Sequence, residues 1–346
     1  MNLAGNIIAI AALCLPNSLS AASYTALAFS DISGWEKDDL APALEAFTRS
    51  CGQIRPTPDI PVRDWDGVCA LAKAGPGPAR MFFEQNFTPM RISTGSRALF
   101  TGYYEPELHG ARHKTDVYRF PLYRRPPEIQ IGVAWSTRAE IENGALAGRG
   151  LELVWLDNRV DAFFVHVQGA ARIKLDDGSI MRVGFAGRNW QRYRSVGREL
   201  IRQGVLTPAQ ASMQGIRAWA EANPEAAKQA LQHNPSFIFF QEFEIPDALG
   251  PIGAMQVPLT PMRSVAVDDS LTPLGAPVWI HMNAGENSLN QLMVAQDTGS
   301  AVNGAQRADI FYGSGKAAGD KAGLIRYSGQ MITLVPNATA ARLRGQ

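Results

Sequence analysis

Apolar residues near the start of the chain recur at the spacing of a helix, three or four positions apart. Leu40, Leu44 and Phe47 form such a stripe, with polar residues between them. An Asp-Asp pair precedes the stripe and is expected to cap the first turn, because a side-chain oxygen there accepts an unpaired backbone N–H. We therefore predict a helix over residues 38–50.

Three further helices are predicted in the middle of the chain, at residues 194–204, 207–222 and 224–232. Gly204 is expected to end the first of them, because glycine readily adopts the left-handed conformation at a helix C-terminus. Thr207 opens the second as a cap and is followed by a proline, which the first turn tolerates.

Segments rich in aromatic and β-branched residues predict strands. Two of these segments are interpreted as hairpins: residues 161–188, around an Asp-Asp-Gly turn, and residues 322–336, turning at Ser328-Gly329. The other predicted strands are at residues 98–108, where Pro106 stops the pattern, at 237–245 and at 276–282.

The order of these elements predicts two domains. Helices concentrate between residues 138 and 232, and strands dominate on both sides, while 32 glycines and 22 prolines favour a loop-rich fold over a helical bundle. We predict a mainly β fold with some α, made of a discontinuous domain (residues 23–106 plus 242–346) and an inserted β-rich domain (residues 107–241). A groove between them would be a natural binding cleft.

Residues 1–22 have the features of a secretory signal peptide. The apolar run from Ile7 to Leu15 is too short to cross a bilayer as a helix, and small residues precede a cleavage position after Ala22. The mature chain is therefore expected to be exported and to have no transmembrane span. Cys14 follows a leucine, a poor context for lipidation, which is left open.

Removal of the signal peptide leaves two cysteines, Cys51 and Cys69. A pair of cysteines in an exported protein predicts a disulfide, and two free buried thiols are the alternative.

Composition and charge exclude several classes of protein. The 346 residues are 46% hydrophobic and 19% charged, as in an ordinary globular protein, and a net charge of +1 gives no reason to expect a nucleic-acid partner. The five histidines are scattered, and the chain has no phosphate-binding, dinucleotide-binding or G-x-S-x-G motif. Neither a metal nor a cofactor is predicted.

Two aspartates near the C-terminus are the first candidates for chemistry. Asp297 and Asp309 stand on either side of a glycine-rich stretch, and Asp309 precedes an apolar, aromatic segment. Burial in such surroundings raises the pKa of a carboxyl group, so a protonated Asp309 would be able to donate to a glycosidic oxygen. Asp297 is interpreted as its polar partner or, with more support, as a residue that holds the loop.

Tyrosine and amide side chains elsewhere suit a sugar ligand. Tyr103 and Tyr104 are adjacent in a predicted strand, so one should face the core and the other a cleft, where its ring would stack on a sugar. Glu105 follows them and is interpreted as a solvated residue at a strand end. Gln168 lies among apolar residues, and either a sugar or the backbone would satisfy its amide.

Taken together, several segments resemble the membrane-bound lytic murein transglycosylases of the A type, which carry a C-terminal three-aspartate (3D) domain. The matching segments follow the family's order: FTGYYEPELHGARHKTDVYRFPLYRRPP (100–127), STRAEIENGALAGRGLELVWLDNRVDAFFVHVQGAARIKLDDG (136–178), NPSFIFFQE (234–242), VPLTPMRSVAVD (257–268) and QDTGSAVNGAQRADIFYGSGKAAGDKAG (296–323). The first hundred residues add little to it.

The resemblance implies a double-psi β-barrel interrupted by a second, smaller β-domain, with a groove between them. It also implies cleavage of the β-1,4 bond between N-acetylmuramic acid and N-acetylglucosamine in peptidoglycan. The family's catalytic acid corresponds to Asp309, and Asp297 matches an aspartate near the active site. Four positions match residues that line the family's groove: Thr101, Tyr103, Tyr104 and Gln168.

The implied reaction needs only one carboxyl group. The 6-hydroxyl of the muramic acid attacks C1 of the same sugar and closes a 1,6-anhydro ring, so Asp309 would act first as acid and then as base. One alternative is a hydrolase of the same polysaccharide that uses Asp309 with Asp297 or Glu105 as its second carboxylate. Another is a non-catalytic module that binds the cell wall.

The resemblance and the signal peptide together predict the periplasm of a Gram-negative bacterium, with outer-membrane association left open. The expected partner is the peptidoglycan glycan strand, and contact with other cell-wall enzymes is also left open.

Overall fold

The computed structural model describes residues 22–285 and 288–343, and two β-sheets organise this part of the chain. The predicted signal peptide, including Cys14, lies outside the described residues except for Ala22. The strands are β1 (Ser23–Ala26), β2 (Phe87–Ser93), β3 (Leu99–Glu105), β4 (Glu107–Ala111), β5 (Phe120–Tyr123), β6 (Glu152–Leu156), β7 (Ala170–Leu175), β8 (Ile180–Arg188), β9 (Ile238–Glu242), β10 (Ser264–Val267), β11 (Pro277–Asn283), β12 (Leu289–Thr298), β13 (Arg307–Ser314) and β14 (Arg326–Pro336).

Helices lie between these strands and after the last of them. They are α1 (Ala41–Ser50), α2 (Asp66–Lys73), α3 (Ala79–Asn86), the single turn α4 (Arg138–Glu140), α5 (Arg159–Gln168), α6 (Val196–Arg202), α7 (Met213–Ala222), α8 (Pro224–Gln232), α9 (Gly315–Ala322) and α10 (Asn337–Leu343). In the part of the chain that the structure describes, no helix is long and apolar enough to cross a membrane.

The first sheet closes on itself, because β3 pairs with β14 as well as with β13. Six strands, running from β14 through β11, β12, β10 and β13 to β3, thereby form a barrel, and β2 and β1 extend the sheet from β14. Closure pairs both edges of each of these six strands. The psi-type connections that the resemblance implies stay a prediction.

The second sheet is built from the strands between residues 107 and 242, in the order β5-β6-β4-β7-β8-β9. One of its faces buries Leu122, Val154 and Ile173 in an apolar cluster of its own. The helices α5 to α8 pack together in a separate cluster. Each sheet therefore has a core, and the two sheets do not share one.

Residues 27–86 cover the barrel with helices rather than with strands. Phe47 of α1 lies against the rings of Trp65, Phe82 and Phe83, at centroid distances of 6.0 to 6.4 Å. Cys51, which follows α1, and Cys69 of α2 form a disulfide between residues 18 positions apart. By the chain-entropy model, closing a loop of this size contributes about 3 kcal/mol to stability.

Most of the predicted elements are present, and the fold class, mainly β with some α, is confirmed. The helices predicted at 194–204 and 224–232 correspond to α6 and α8. The helix predicted from Thr207 begins only at Met213, because Ser212 supplies the cap and its Oγ accepts the Gly215 N–H at 3.1 Å.

The two acids that precede α1 have different roles, and only Asp39 caps the helix. Asp39 accepts the N–H of Ala41, the first residue of the helix, at 3.1 Å. Asp38 instead forms a paired ion contact with Arg263 at 2.8 Å, which ties the helix entrance to the barrel.

Two of the predicted strands are wrong in part. Residues 161–168 belong to the helix α5, which Asn158 caps and which Gly169, at a φ of 87°, ends. The predicted turn at Ser328-Gly329 does not form, because β14 runs straight through it. Glycine is needed there for close packing: a Cβ at position 329 would lie 2.0 Å from the carbonyl oxygen of His281 on β11.

The predicted concentration of helices between residues 138 and 232 is also incomplete. Five of the described helices, α1 to α3, α9 and α10, belong to the parts of the chain that build the barrel. The apolar faces of α1, α2, α3 and α10 pack in the core of the barrel domain, and of these four helices only α1 was predicted.

Glu105 holds the two sheets together at the point where the chain passes from β3 to β4. Its side chain is 1% exposed, and its two oxygens accept hydrogen bonds from Arg172 Nε at 2.8 Å and Arg182 Nη2 at 2.7 Å. Ser314 of the barrel donates a third bond at 2.6 Å. The interpretation of Glu105 as a solvated residue is therefore wrong.

The same two arginines also hold the segment through which the chain returns to the barrel. Arg172 Nη2 donates to the carbonyl oxygens of Asp247 and Leu249 at 2.9 and 3.0 Å. Arg182 Nη1 donates to those of Pro246 and Leu249 at 3.2 and 2.9 Å. Both connections between the sheets thus meet at one buried carboxylate.

We predict that Glu105→Gln lowers the free energy of unfolding by about 3–5 kcal/mol, because it leaves two guanidinium groups without their counter-charge. Urea denaturation at neutral pH measures this. Glu107→Gln, an exposed change two residues along, is the control and should stay within about 0.5 kcal/mol of wild type. Equal midpoints for the two variants would contradict the role given to Glu105.

Candidate active site

Four strands of the barrel place one row of side chains on the same face. Asp297 of β12 pairs with Ala266 of β10, Ala266 pairs with Asp309 of β13, and Asp309 pairs with Thr101 of β3. Residues paired directly across strands point to the same face. The two aspartates are two strand spacings apart, about 10 Å between Cα atoms, with only the methyl group of Ala266 between them.

Asp309 is partly buried inside β13 and has one engaged carboxylate oxygen. Its Oδ1 accepts a hydrogen bond from the Thr101 hydroxyl at 2.7 Å. Among the described residues, Oδ2 has no hydrogen-bond partner. Burial raises the pKa of Asp309, while the nearby positive charge of Arg307 and the Thr101 hydrogen bond act against that rise.

Arg307 reaches the same carboxylate through the threonine. It lies two residues before Asp309 on the strand, so both side chains are on one face. Its Nη2 donates to Thr101 Oγ1 at 2.8 Å, and the Thr101 hydroxyl in turn donates to Asp309. The threonine hydroxyl is thus oriented by a cation and aimed at the acid.

Asp297 accepts hydrogen bonds on both of its oxygens. Oδ1 accepts the backbone N–H groups of Ala254 and Thr298 at 3.0 and 2.9 Å, and Oδ2 accepts the Tyr103 hydroxyl at 2.9 Å. Burial raises its pKa to about 6, although these three donors act to lower it. Asp297 therefore fixes the loop at residue 254 and the Tyr103 ring, as expected for a residue that holds a loop.

A cavity of about 730 Å³ lies between the two sheets and opens beside this row. Asp297, Tyr103 and Phe311 line it from the barrel side, with the rings of Tyr103 and Phe311 5.4 Å apart. Asp309 does not line this volume. Two cavity-lining residues are close to it in the sheet: Asp297 stands in the same row beyond Ala266, and Phe311 is two residues along the same strand.

Tyr104 and Gln168 lie at the junction of the barrel with helix α5. The Gln168 amide oxygen accepts the backbone N–H of Tyr104 at 3.1 Å, and both residues line the cavity. The Tyr104 ring packs on Gly319 of α9, where a Cβ would be 2.6 Å from it. Tyr103 and Tyr104 therefore sit on opposite faces of β3, although both line the cavity, and Tyr103 is the more buried of the two.

The structure thus brings Thr101, Tyr103, Asp297 and Asp309 into one constellation. Glu105 is not part of it, because its carboxylate is buried between Arg172 and Arg182. Arg307 was not predicted as a site residue. Its position two residues before Asp309 in a strand indicates that the two side chains share a face.

Comparison with known proteins gives a consistent assignment for most of this chain. Residues 99–241 match the family model described as the MltA specific insert domain, and residues 263–335 match the 3D domain. The first range includes the whole second sheet except the end of β9, and the second includes β10 to β13.

Relatives of known sequence or structure agree with these matches. Membrane-bound lytic murein transglycosylase A of Vibrio cholerae is 37% identical over 248 residues, which cover 68% of this chain and 65% of the relative. The crystal structure of a membrane-bound lytic murein transglycosylase from Agrobacterium tumefaciens is 35% identical, with a TM-score of 0.85, over 93% of this chain and 100% of that one. Escherichia coli MltA with bound chitohexaose is 29% identical, with a TM-score of 0.69, over 86% of this chain and 89% of that one.

We predict that Asp297→Asn changes stability in a pH-dependent way. Because its pKa is raised in the folded state, Asp297 ionises more readily in the unfolded chain. The free energy of unfolding of wild type should therefore fall by up to about 3 kcal/mol between about pH 4 and pH 7. Asparagine cannot ionise, so the free energy of unfolding of the variant, minus that of wild type, should rise over this range. Urea denaturation at several pH values measures it, and a flat or falling difference would contradict the burial argument.

Proposed function

The chain belongs to the membrane-bound lytic murein transglycosylase A family, and on that basis we propose that it cleaves peptidoglycan glycan strands. The bond broken is the β-1,4 link between N-acetylmuramic acid and N-acetylglucosamine, and the product ends in a 1,6-anhydromuramic acid. The support is the match to the family along most of the chain, together with the environment of one carboxyl group.

The observation that carries this proposal is the partly buried Asp309, with one oxygen held by Thr101 and the other without a partner among the described residues. Because burial raises its pKa, the carboxyl group keeps a proton to higher pH than an exposed aspartate does. It can therefore give that proton to the oxygen of the bond being broken.

The same carboxyl group completes the reaction. After the glycosidic oxygen has left, the Asp309 carboxylate accepts the proton of the muramic acid 6-hydroxyl as this oxygen bonds to C1. Proton donation and proton removal balance, so Asp309 ends the cycle protonated. The attack is intramolecular and so has a high effective molarity, which makes a second catalytic carboxylate unnecessary.

The neighbouring residues have supporting roles in this proposal. Thr101 and Arg307 orient the acid and stabilise its ionised form between the two proton transfers. Asp297 holds the loop at Ala254 and the Tyr103 ring, so that the barrel side of the groove keeps its shape. Tyr103, with Tyr104 and Gln168, would contact the sugar rings along the groove.

The two sheets support a division into two domains, which we propose at the boundaries given by the sequence. Residues 23–106 plus 242–346 would form the catalytic barrel, and residues 107–241 the other wall of the groove. We also propose that the mature chain works in the periplasm in association with the outer membrane; the predicted signal peptide supports export, and its relatives are named membrane-bound.

The environment of the second acid argues against a two-carboxylate hydrolase. Asp297 is occupied by three hydrogen-bond donors, and Glu105 is buried in its ion pairs. Neither is arranged to activate a water molecule opposite Asp309.

We predict that Asp309→Asn releases soluble fragments from purified peptidoglycan at least about a hundredfold more slowly than wild type, because general acid and base catalysis is lost. Mass spectrometry of the fragments measures the rate and should find anhydro-sugar ends, lighter by one water than hydrolytic ends. Asp116→Asn, which changes an exposed acid that does not line the cavity, is the control and should retain wild-type activity. Equal rates for the two variants would contradict the role of Asp309.

A further inference from the structure

Two arginines face the cavity from the wall that the second sheet forms. Arg125 follows β5 and Arg188 ends β8, and both line the cavity and are partly buried. In the part of the chain that the structure describes, neither forms an ion pair with a carboxylate. A partly desolvated cation without a counter-charge is costly, so an anion that enters the cavity gains from the pairing.

The guanidinium of Arg188 is held over an aromatic ring by an unusual backbone conformation. Its central carbon lies 4.2 Å from the centroid of the Trp190 ring. Trp190 has a φ of 58°, a left-handed conformation that costs a bulky residue about 1–3 kcal/mol and that the surrounding structure must enforce. The stacked pair is therefore a built feature of the wall.

Asn189, which precedes Trp190 and is fully buried, anchors the backbone at this point. Its amide donates to the carbonyl oxygens of Ser136 and Pro235, both at 2.8 Å, and accepts the backbone N–H of Phe237 at 2.9 Å. These bonds fix the backbone on the N-terminal side of Trp190, so the ring and the guanidinium on it are placed before any ligand arrives.

The side chain of Arg125 reaches the cavity by passing directly over Gly187. Gly187 sits at a bulge in the pairing of β8 with β9 and has a φ of 154°. A Cβ there would lie 2.4 Å from Arg125 Cδ, so any other residue would displace the arginine. Arg125 also donates through Nη2 to the carbonyl oxygen of Ile129, which leaves its other N–H groups for a ligand.

The chemistry of these two groups selects a carboxylate. A guanidinium presents a planar fork of donors that fits a carboxylate in a bidentate manner, and stacking on an aromatic ring keeps that plane fixed. The opposite wall of the cavity, by contrast, presents acids and hydroxyls, among them Asp268, Asp269 and Ser300. A ligand with one anionic side would therefore be oriented across the groove.

We propose that Arg125 and Arg188, with the Trp190 ring, form a binding site for a carboxylate carried by the muramic acid residues of the substrate. This inference rests on the proposed function and specifies how the groove recognises its glycan. Muramic acid differs from N-acetylglucosamine by a lactyl ether whose carboxyl group is free or is linked to a peptide that carries its own carboxylates. The site would thus distinguish a muramyl glycan from uncharged chitin.

The test measures binding to the Asp309→Asn protein, in which cleavage does not remove the ligand. The three ligands are chitohexaose, which has no carboxylate, peptide-free strands of alternating N-acetylglucosamine and N-acetylmuramic acid, and the same strands with peptides. Arg188→Gln and Arg125→Gln are compared with Arg192→Gln, which removes an exposed arginine that does not line the cavity.

We expect each cavity variant to weaken binding of at least one muramyl ligand by about ten- to a hundredfold, the usual effect of losing a hydrogen bond to a charged group. Chitohexaose affinity should change by less than about twofold, and Arg192→Gln should change neither. A loss confined to the peptide-free strands identifies the lactyl carboxylate, whereas a loss confined to the peptide-bearing strands identifies a carboxylate of the peptide.

Equal losses for chitohexaose and the muramyl ligands would overturn the proposal, because the arginines would then act only on the shape of the groove. No loss for any ligand would also overturn it. Arg188→Lys, which keeps the charge without the planar fork, should recover part of the affinity, and thermal midpoints check that each variant is folded.

Failure of this proposal can be separated from failure of the proposed function. If the parent protein binds chitohexaose and the muramyl strands equally well, charge recognition fails, while cleavage by the wild-type enzyme is unaffected. If the parent binds none of the glycans, both proposals fail.

Discussion

One buried carboxylate, that of Glu105, ties together the two sheets that form the walls of the groove. The barrel and the second sheet have separate cores, so apolar packing within each does not fix their relative position. Glu105 belongs to the barrel, while Arg172 and Arg182 belong to the second sheet and also bind the returning chain at Leu249. Because both crossings meet at this charge cluster, the cavity wall with its arginines stays opposite the barrel wall with its aspartates.

Strand register then determines which side chains of the candidate site meet beside that groove. Asp309 reaches Thr101 only because β13 and β3 run parallel with these two residues paired, and the small Ala266 separates it from Asp297. Burial and the Arg307 charge act on the Asp309 carboxyl group in opposite directions. In the proposed reaction this carboxyl group gives up a proton and takes one back, and burial favours the protonated form from which the reaction starts.

The sequence predicted the parts of this site that leave a local signal. Asp309 stands out because it follows a glycine-rich stretch and precedes aromatic residues. Thr101, 208 positions away, was assigned to the groove only through the family resemblance, and its contact with Asp309 was not predicted. Glu105 was misinterpreted because its partners lie 67 and 77 positions away, and no local pattern indicates that they neutralise it. Gly329 was assigned to a turn because a glycine needed for close packing looks the same in sequence as one needed for a bend.

The proposed reaction uses a single carboxyl group and no water nucleophile. Digestion of purified peptidoglycan in water enriched in heavy oxygen tests it most directly, with the label at muramic acid C1 read by mass spectrometry before slow exchange occurs. We expect that no solvent oxygen enters the product, because in this reaction the 6-hydroxyl of the same sugar attacks C1. One labelled oxygen for each bond cleaved would contradict it.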